Sequence, residues 1–223
     1  MEDPIKGLLA GDALAYLRVK ADLFLDDLEQ AQPNARHQPD CCYLDFGCGT
    51  GDFMHLLQTC GVRWTMFGYD ASRGMLDEAI KRWPQVCSTD NLRHVTEPTQ
   101  ILPDHFDLIT AICVFHHIPP SEWETYFAAL YNGLRPRGRL YVFEHNPINP
   151  VTQIMVSRAE IDRDAVLLWP FSTVQRLRRI GFHVRKLSFF LYVPPRFSKL
   201  LKFERWFSKL PFGGQYMIVA EKA

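Results

Sequence analysis

Residues 44–51, Leu44-Asp45-Phe46-Gly47-Cys48-Gly49-Thr50-Gly51, join an apolar run to a helix-like stretch, and this junction decides the fold. Glycine adopts positive φ and lets a ligand approach the backbone closely. The first N–H groups of the helix that follows are free to bind a phosphate or a polar ligand that carries a carboxylate. Three alternate glycines are more than a tight turn requires, so the stretch predicts a ligand-binding loop. A turn without a ligand is the alternative.

The spacing of the glycines separates this loop from two other nucleotide-binding loops. The dinucleotide fingerprint G-x-G-x-x-G would place its third glycine at position 52, where the chain has aspartate. No lysine of the Walker type follows the loop. Asp70 closes the next apolar run about 20 residues further on, where an acid can accept hydrogen bonds from two ribose hydroxyls. A helix N-cap is the alternative role for Asp70 alone, and together with the loop we interpret it as a ribose ligand.

Apolar runs alternate with helix-like stretches outward from the loop. Strands that are nearly continuous in apolar residues are typical of a parallel sheet covered by helices on both faces. Two late strands, at 182–193 and 215–221, are joined by a helical excursion, which predicts an antiparallel closing strand in a mixed sheet. The earlier predicted strands are Cys41 to Phe46, Trp64 to Tyr69, Leu92 to Glu97, Phe106 to Ile112 and Arg139 to Phe143, and the helices between and after them are 52–60, 72–82, 121–134 and 172–180.

Composition favours a single α/β domain in a reducing compartment. Of 223 residues, 47% are apolar and 13% are aromatic, which is enough for a sizeable core. Basic and acidic residues both number 25, so no overall field attracts nucleic acid or a membrane, and we expect no nucleic-acid partner. Six scattered cysteines without metal spacing, and an N-terminus unlike a secretory signal, predict a cytoplasmic protein. No run approaches the ~20 apolar residues of a spanning helix.

Four motifs, in order, resemble those of class I S-adenosylmethionine-dependent methyltransferases across residues 40–146 and in outline to the C-terminus. The family's first motif, acid-x-Gly-x-Gly-x-Gly, is matched by residues 45–51, and its ribose acid by Asp70. Its fourth-strand motif is matched by FDLITA at 106–111, and its fifth-strand motif by LRPRGRL at 134–140. The resemblance implies a Rossmann-like seven-stranded sheet in the order 3-2-1-4-5-7-6, with strand 7 antiparallel.

The resemblance also implies S-adenosyl-L-methionine as the cofactor and S-adenosyl-L-homocysteine as the product. The family often has an acid near the end of the third strand that meets the adenine amino group. Glu97 fits that position best, and Asp90-Asn91 is a rival. The cofactor-binding residues that the resemblance implies are Asp45, Gly47, Cys48, Gly49, Gly51, Asp70, Ala71, Glu97, Ala111 and Ile112.

Two segments should meet at the edge where the transferred methyl group points, because ligands bind beyond the carboxyl ends of parallel strands. One is Cys113 to His117, after the fourth strand, and the other is Glu144-His145-Asn146-Pro147, after the fifth. The second segment resembles a subgroup of bacterial-type methyltransferases that are often found beside polysaccharide or secondary-metabolite enzymes. A hydroxyl acceptor would need a base, and histidine titrates near neutrality. We therefore predict His117, His145 and Glu144 as catalytic, with Glu144 orienting His145 or meeting the substrate. The alternative is that each histidine only bonds to backbone.

No metal is expected. Some quinone O-methyltransferases of this fold carry acid-x-x-acid-His after strand four and bind a divalent ion. The matching positions here are Cys113, His116 and His117, so both acids are missing.

The resemblance divides the single domain into three segments. Residues 1–39 are a predicted N-terminal helical cap, 40–146 the cofactor-binding core, and 147–223 a substrate-side segment with the closing strands. Tyr16 and Arg18 of the cap could contact the methionine carboxylate or the substrate. A packed tyrosine and an exposed arginine are the alternative.

Residues 196–210, RFSKLLKFERWFSKL, form a predicted amphipathic helix. Lys202, Arg205 and Lys209 share one face at helical spacing, opposite a broad apolar face. Such a helix could contact an anionic membrane or a lipid-linked substrate, pack on the sheet, or pack on a second subunit.

The predicted function is methyl transfer from S-adenosylmethionine to a small-molecule acceptor, an oxygen of a secondary metabolite or of a saccharide or lipid intermediate. One alternative is an enzyme of the same fold that cyclises, decarboxylates or eliminates. Another is a non-catalytic partner subunit, which degraded glycines would mark, and the glycines are intact. The sequence specifies neither the acceptor nor the oligomeric state.

Overall fold

The structure, a computed structural model, describes residues 13–159, 164–193 and 206–223. Its strands and helices alternate through most of the chain. The strands are β1 (Cys42–Phe46), β2 (Thr65–Asp70), β3 (Leu92–His94), β4 (Phe106–Ile112), β5 (Leu134–His145), β6 (Phe182–Phe190) and β7 (Gln215–Lys222). The helices are α1 (Ala13–Ala31), α2 (Asp52–Thr59), α3 (Arg73–Arg82), α4 (Trp123–Gly133), α5 (Pro150–Arg158) and α6 (Pro170–Ile180).

The seven strands form one sheet in the order β3-β2-β1-β4-β5-β7-β6. The five strands β1 to β5 pair in parallel, with β1 between β2 and β4. β7 lies antiparallel between β5 and β6. The predicted strand order and the antiparallel closing strand are confirmed. Because the order reverses between β1 and β4, a ligand is expected beyond the carboxyl ends of these two strands.

Side-chain alternation along the strands divides the core between the two faces of the sheet. On β1, Tyr43 belongs to the cluster that contains Phe24 of α1, and Leu44 to the cluster that contains Phe127 of α4. Phe24 also packs edge-on against Tyr141 of β5, with ring centroids 4.6 Å apart. Helices therefore cover both faces, as predicted for this fold class.

Three strand boundaries differ from the sequence prediction by three residues or more. β3 stops at His94 because the amides of Thr96 and Glu97 donate to Gln100 Oε1 and cannot join the ladder. β5 starts earlier than predicted, because the chain passes the polar residues before Arg139 through an irregularity in its pairing with β4. β6 ends at Phe190 because Leu191 has φ of +60°.

Two sequence predictions fall partly outside the described residues. Within the helical cap predicted over 1–39, α1 spans Ala13–Ala31, and residues 1–12 are not among those described. Of the helix predicted over 196–210, only residues 206–210 are described, and Trp206 is exposed there. No helix in the described part of the chain is long and apolar enough to cross a membrane.

Candidate active site at the carboxyl edge of the sheet

The glycine loop follows β1, and its three glycines all have positive φ. A Cβ atom at Gly47 would lie 2.2 Å from Val114 Cγ2, and one at Gly51 would lie 2.7 Å from Cys87 Sγ. Packing therefore requires glycine at both positions. A Cβ atom at Gly49 would meet nothing within 4 Å, so this glycine borders open space. The loop thus has the open backbone surface that a bound ligand requires.

Asp70 ends β2 beside the loop. Its Oδ2 accepts a hydrogen bond from the Gly49 N–H at 2.8 Å, and its Oδ1 accepts one from the Ser72 N–H at 2.8 Å. The N-cap of α3 is Ser72, whose side chain accepts from the Met75 N–H. The capping role that was the alternative for Asp70 therefore belongs to Ser72, and Asp70 connects the end of β2 to the loop.

Asp45 is 2% exposed, and its Oδ1 accepts a hydrogen bond from Thr110 Oγ1 at 2.9 Å. Burial raises the pKa of Asp45 to about 7, although the hydrogen bond from Thr110 lowers it. The carboxyl group can therefore gain or lose a proton near neutrality. A cation bound close by would favour the ionised form. Cys48 and Ala111 are also buried here.

The two candidates for the acid near the third strand, Glu97 and Asp90-Asn91, lie at opposite ends of β3. Asn91 precedes β3, and its Nδ2 donates to the carbonyl oxygens of Met66 at 3.0 Å and Val86 at 2.7 Å. Asp90-Asn91 thus lies at the amino end of the strand, away from the loop. Glu97 lies beyond the carboxyl end and is exposed. Glu97 remains the predicted adenine contact of the two.

Glu144 is fully buried, and its partner is His116 rather than His145. Glu144 Oε2 lies 2.6 Å from His116 Nδ1. Glu144 Oε1 accepts from the N–H of Val114 at 3.0 Å and from that of Phe115 at 2.8 Å. The ring centroid of His145, the next residue on β5, lies 5.2 Å from that of His116. The interpretation that Glu144 orients His145 directly is corrected: its carboxylate contacts His116 and anchors the turn after β4.

The pKa values of His116 and Glu144 shift in opposite directions. Burial alone would lower the pKa of His116, but the hydrogen bond and the charge of Glu144 outweigh it, and the pKa is raised. Burial raises the pKa of Glu144, but the hydrogen bond and the charge of His116 outweigh it, and the pKa is lowered. Both shifts favour a protonated imidazole against a carboxylate.

His145 lies on the other face of β5, half-buried beside Gln215 of β7. The amide nitrogen of Gln215 lies 3.3 Å from His145 Nδ1 and 3.9 Å from Cys113 Sγ. Gln215 is 6% exposed, and its Oε1 has no hydrogen-bond partner within the described residues. His117 is exposed, with its ring centroid 4.1 Å from that of His116. The structure thus brings both predicted histidines to one edge and adds Gln215, for which the sequence has no motif.

The basic residue that α1 buries is Lys20, whereas the predicted contact Arg18 is on the surface. Arg18 faces solvent and pairs with Asp22 at 3.4 Å. Lys20, two residues later, is 5% exposed. Helical spacing relative to the core residue Phe24 could have identified Lys20 as inward-facing.

Within the described ranges, no three His, Cys, Asp or Glu side chains are placed to hold a metal ion.

A cleft of about 800 Å³ lies at the opposite, amino edge of the sheet, where its lining includes Asp107 and Arg135. These two side chains form an ion pair at 2.8 Å. The glycine loop and Asp70 are at the other edge, so this cleft is not the candidate site.

Comparison with known proteins finds similarity over part of the chain. The family model described as a methyltransferase domain matches residues 44–140. Cyclopropane-fatty-acyl-phospholipid synthase from Escherichia coli (strain K12) is 27% identical over 124 residues, which are 51% of this chain and 30% of that protein. The chain therefore spans less than a third of the length of this curated relative.

Solved structures share the fold over nearly the whole chain. A SAM-dependent methyltransferase from Archaeoglobus fulgidus superposes with a TM-score of 0.65 and 17% identity, covering 98% of both chains. Magnesium protoporphyrin IX methyltransferase from Synechocystis PCC 6803, solved with bound SAH, superposes with a TM-score of 0.62 and 18% identity, covering 94% of this chain and 84% of that one. At these identities the likeness establishes the fold.

Proposed function

We propose that this chain, which carries a class I S-adenosylmethionine-dependent methyltransferase domain, transfers a methyl group from S-adenosylmethionine to an oxygen of a small-molecule acceptor. The observation that carries the proposal is the junction of Gly49 and Asp70. The Gly49 backbone borders open space and lies 2.8 Å from the Asp70 carboxylate. Ribose hydroxyls and a methionine chain would need this combination of exposed backbone and acceptor oxygens.

The residues at this edge fit the cofactor by charge and burial. Asp70 would accept the ribose hydroxyls, Glu97 would meet the adenine amino group, and Ala111 and Ile112 would border the methionine side. Asp45, with its pKa raised to about 7, would ionise beside the ammonium group of the methionine. When bound, S-adenosylmethionine supplies a methyl group on a positively charged sulfur.

Calorimetry tests this assignment directly. We expect S-adenosylhomocysteine to bind and NAD to give no heat, because the glycines alternate at 47, 49 and 51 instead of following the dinucleotide spacing. Release of S-adenosylhomocysteine in the presence of an acceptor then separates methyl transfer from cyclisation, decarboxylation or elimination. Binding of NAD without binding of S-adenosylhomocysteine contradicts the proposal.

The orientation of the Gln215 amide determines what His145 can do. With the amide nitrogen toward Nδ1, as at 3.3 Å, the imidazole proton is on Nε2 and the ring can only donate there. A half-turn of the amide would place Oε1 against Nδ1–H, so that Nε2 is the nitrogen that accepts a proton. The half-turn also gives the buried Oε1 a partner. We assign this second orientation to the working enzyme, with His145 as the base.

Replacement of the two histidines tests that assignment. We expect His145→Ala to lower turnover by about 10²–10⁴-fold, the contribution typical of a positioned base. S-adenosylhomocysteine affinity and melting temperature should stay near those of the parent. His117→Ala is the matched variant, because His117 is exposed and Gln215 lies against His145. If His117→Ala alone lowers turnover, the base is His117. If turnover falls only together with cofactor affinity, the lost histidine is structural.

A lipid intermediate is the acceptor class favoured by a second observation. Asn149 Nδ2 donates to the Phe212 carbonyl at 2.7 Å, and Thr152 Oγ1 to the Gly214 carbonyl at 2.9 Å, which holds α5 against the chain before β7. The name of the Escherichia coli relative refers to a fatty-acyl phospholipid. Six large apolar side chains of these two segments are exposed: Val151, Ile154, Trp206, Phe207, Leu210 and Phe212. We name these six the apolar rim. A membrane contact through 196–210 remains a prediction.

A further inference from the structure

Lys20 is a buried cation at the carboxyl edge of the sheet. It lies on α1, is 5% exposed, and its ammonium is near enough to the thiol of Cys113, which follows β4, to lower the pKa of that thiol. An ammonium group has three N–H donors, and a thiol is a weak acceptor. The thiol also cannot balance the charge, because burial raises the pKa of Cys113 even though Lys20 lowers it.

Within the described residues, Lys20 has no carboxylate partner at ion-pair distance. Two acids close to Lys20 in sequence or at the same edge have other partners. Asp22 pairs with Arg18 on the solvent side, and Glu144 pairs with His116. A buried charge without a counter-charge is unfavourable, so such lysines are uncommon unless they are paired. An anion that enters the site would supply the missing partner.

The neighbours of Cys113 show on which side of the site this anion would lie. Cys113 is 3.9 Å from the amide of Gln215, which in turn contacts His145. Cys113 follows β4, and His145 and Gln215 belong to β5 and β7, whereas Gly49 follows β1 and Asp70 ends β2. The anion would therefore lie on the side of the proposed base rather than on that of the ribose.

We propose that Lys20 binds a carboxylate of the methyl acceptor, and that the acceptor is a carboxylate with an apolar tail. This inference rests on the proposed function. The tail follows from continuity: Gln215 directly follows Gly214, whose carbonyl accepts from Thr152 of α5, and α5 carries Val151 and Ile154 of the apolar rim. A head group at Lys20 and a chain toward the rim would place the molecule across His145.

Octanoate and octanamide are the probes for this proposal, since they share a tail and differ in charge. We expect the wild-type protein, saturated with S-adenosylhomocysteine, to bind octanoate at least about tenfold more tightly than octanamide, a difference of about 1.4 kcal/mol. Lys20→Met should remove the difference, and Lys20→Arg should restore part of it. Lys81→Met, at an exposed lysine of α3, should leave it unchanged. Because Lys20 lacks a counter-charge, Lys20→Met should melt no lower than the wild type.

Contrary results would distinguish three different errors. Equal affinity of the wild type for octanoate and octanamide, or an unchanged preference in Lys20→Met, overturns the proposal. If Lys20→Met weakens S-adenosylhomocysteine but not 5′-methylthioadenosine, which lacks the amino-acid part, the carboxylate belongs to the cofactor and the acceptor assignment is wrong. Failure of the wild type to bind S-adenosylhomocysteine at all would instead contradict the proposed function.

Discussion

Gly49→Val is expected to weaken S-adenosylhomocysteine binding by about 100-fold or more, equivalent to about 2.7 kcal/mol. The space around a Cβ atom at Gly49 is empty within 4 Å and lies beside Asp70. An isopropyl group there would occupy the volume that the cofactor needs. Isothermal titration calorimetry measures the loss.

Gly61→Val is the matched control for this variant. Gly61 follows α2, has φ of +82°, and also has nothing within 4 Å of a built Cβ atom. Both substitutions therefore impose the left-handed strain of about 1–3 kcal/mol, but only Gly49 borders the proposed ligand. We expect both variants to lose similar stability and only Gly49→Val to lose binding. Equal affinities in the two variants would show that the cofactor does not lie over Gly49.

Glu144→Gln is expected to lower the free energy of unfolding by about 3–5 kcal/mol, the range for breaking a buried charged pair. The carboxylate accepts from His116 Nδ1 and from two backbone N–H groups. An amide offers one oxygen and turns its NH₂ group toward the remaining donors, so at least one buried donor loses its acceptor. Urea unfolding followed by circular dichroism measures the change.

Glu124→Gln provides the comparison, because Glu124 pairs with Arg176 at 2.9 Å with its side chain 56% exposed. An exposed pair of this kind contributes at most about 1 kcal/mol. A Glu144→Gln variant as stable as Glu124→Gln would mean that His116 and the turn amides find other partners.

The contribution of the His116–Glu144 pair to stability depends on pH. The pKa of His116 is raised above 6.5, so its contribution to stability is complete below pH 6.5 and is lost as pH rises through the raised value. The pKa of Glu144 is lowered below 4.5, so its contribution is present above pH 4.5 and is lost as pH falls through the lowered value. Glu144→Gln should remove the loss of stability at high pH, and because burial alone lowers the pKa of His116, the variant should lose stability as pH falls below 6.5.

Sequence by itself determined the parts of this protein that depend on local pattern. The glycines at 47, 49 and 51 and the acid at Asp70 identified the loop, because backbone freedom and spacing are properties of a short stretch. The alternation of apolar runs and helices predicted the parallel strands, and the family resemblance supplied the order 3-2-1-4-5-7-6. The ends of the strands were predicted less accurately. β3 ends at His94 because Gln100 Oε1 accepts hydrogen bonds from the backbone amides that would have extended the strand.

Only the tertiary structure decided which side chains meet. Glu144 follows a motif that suggested His145 as its partner, but the pleat of β5 turns it toward His116, 28 residues earlier. Gln215 and Lys20 reach the same edge from β7 and α1, and neither belongs to a local motif. These contacts depend on strand register and on which helix face is buried. Both are set by packing across the whole sheet, so a local pattern places a residue at the edge without identifying its neighbour.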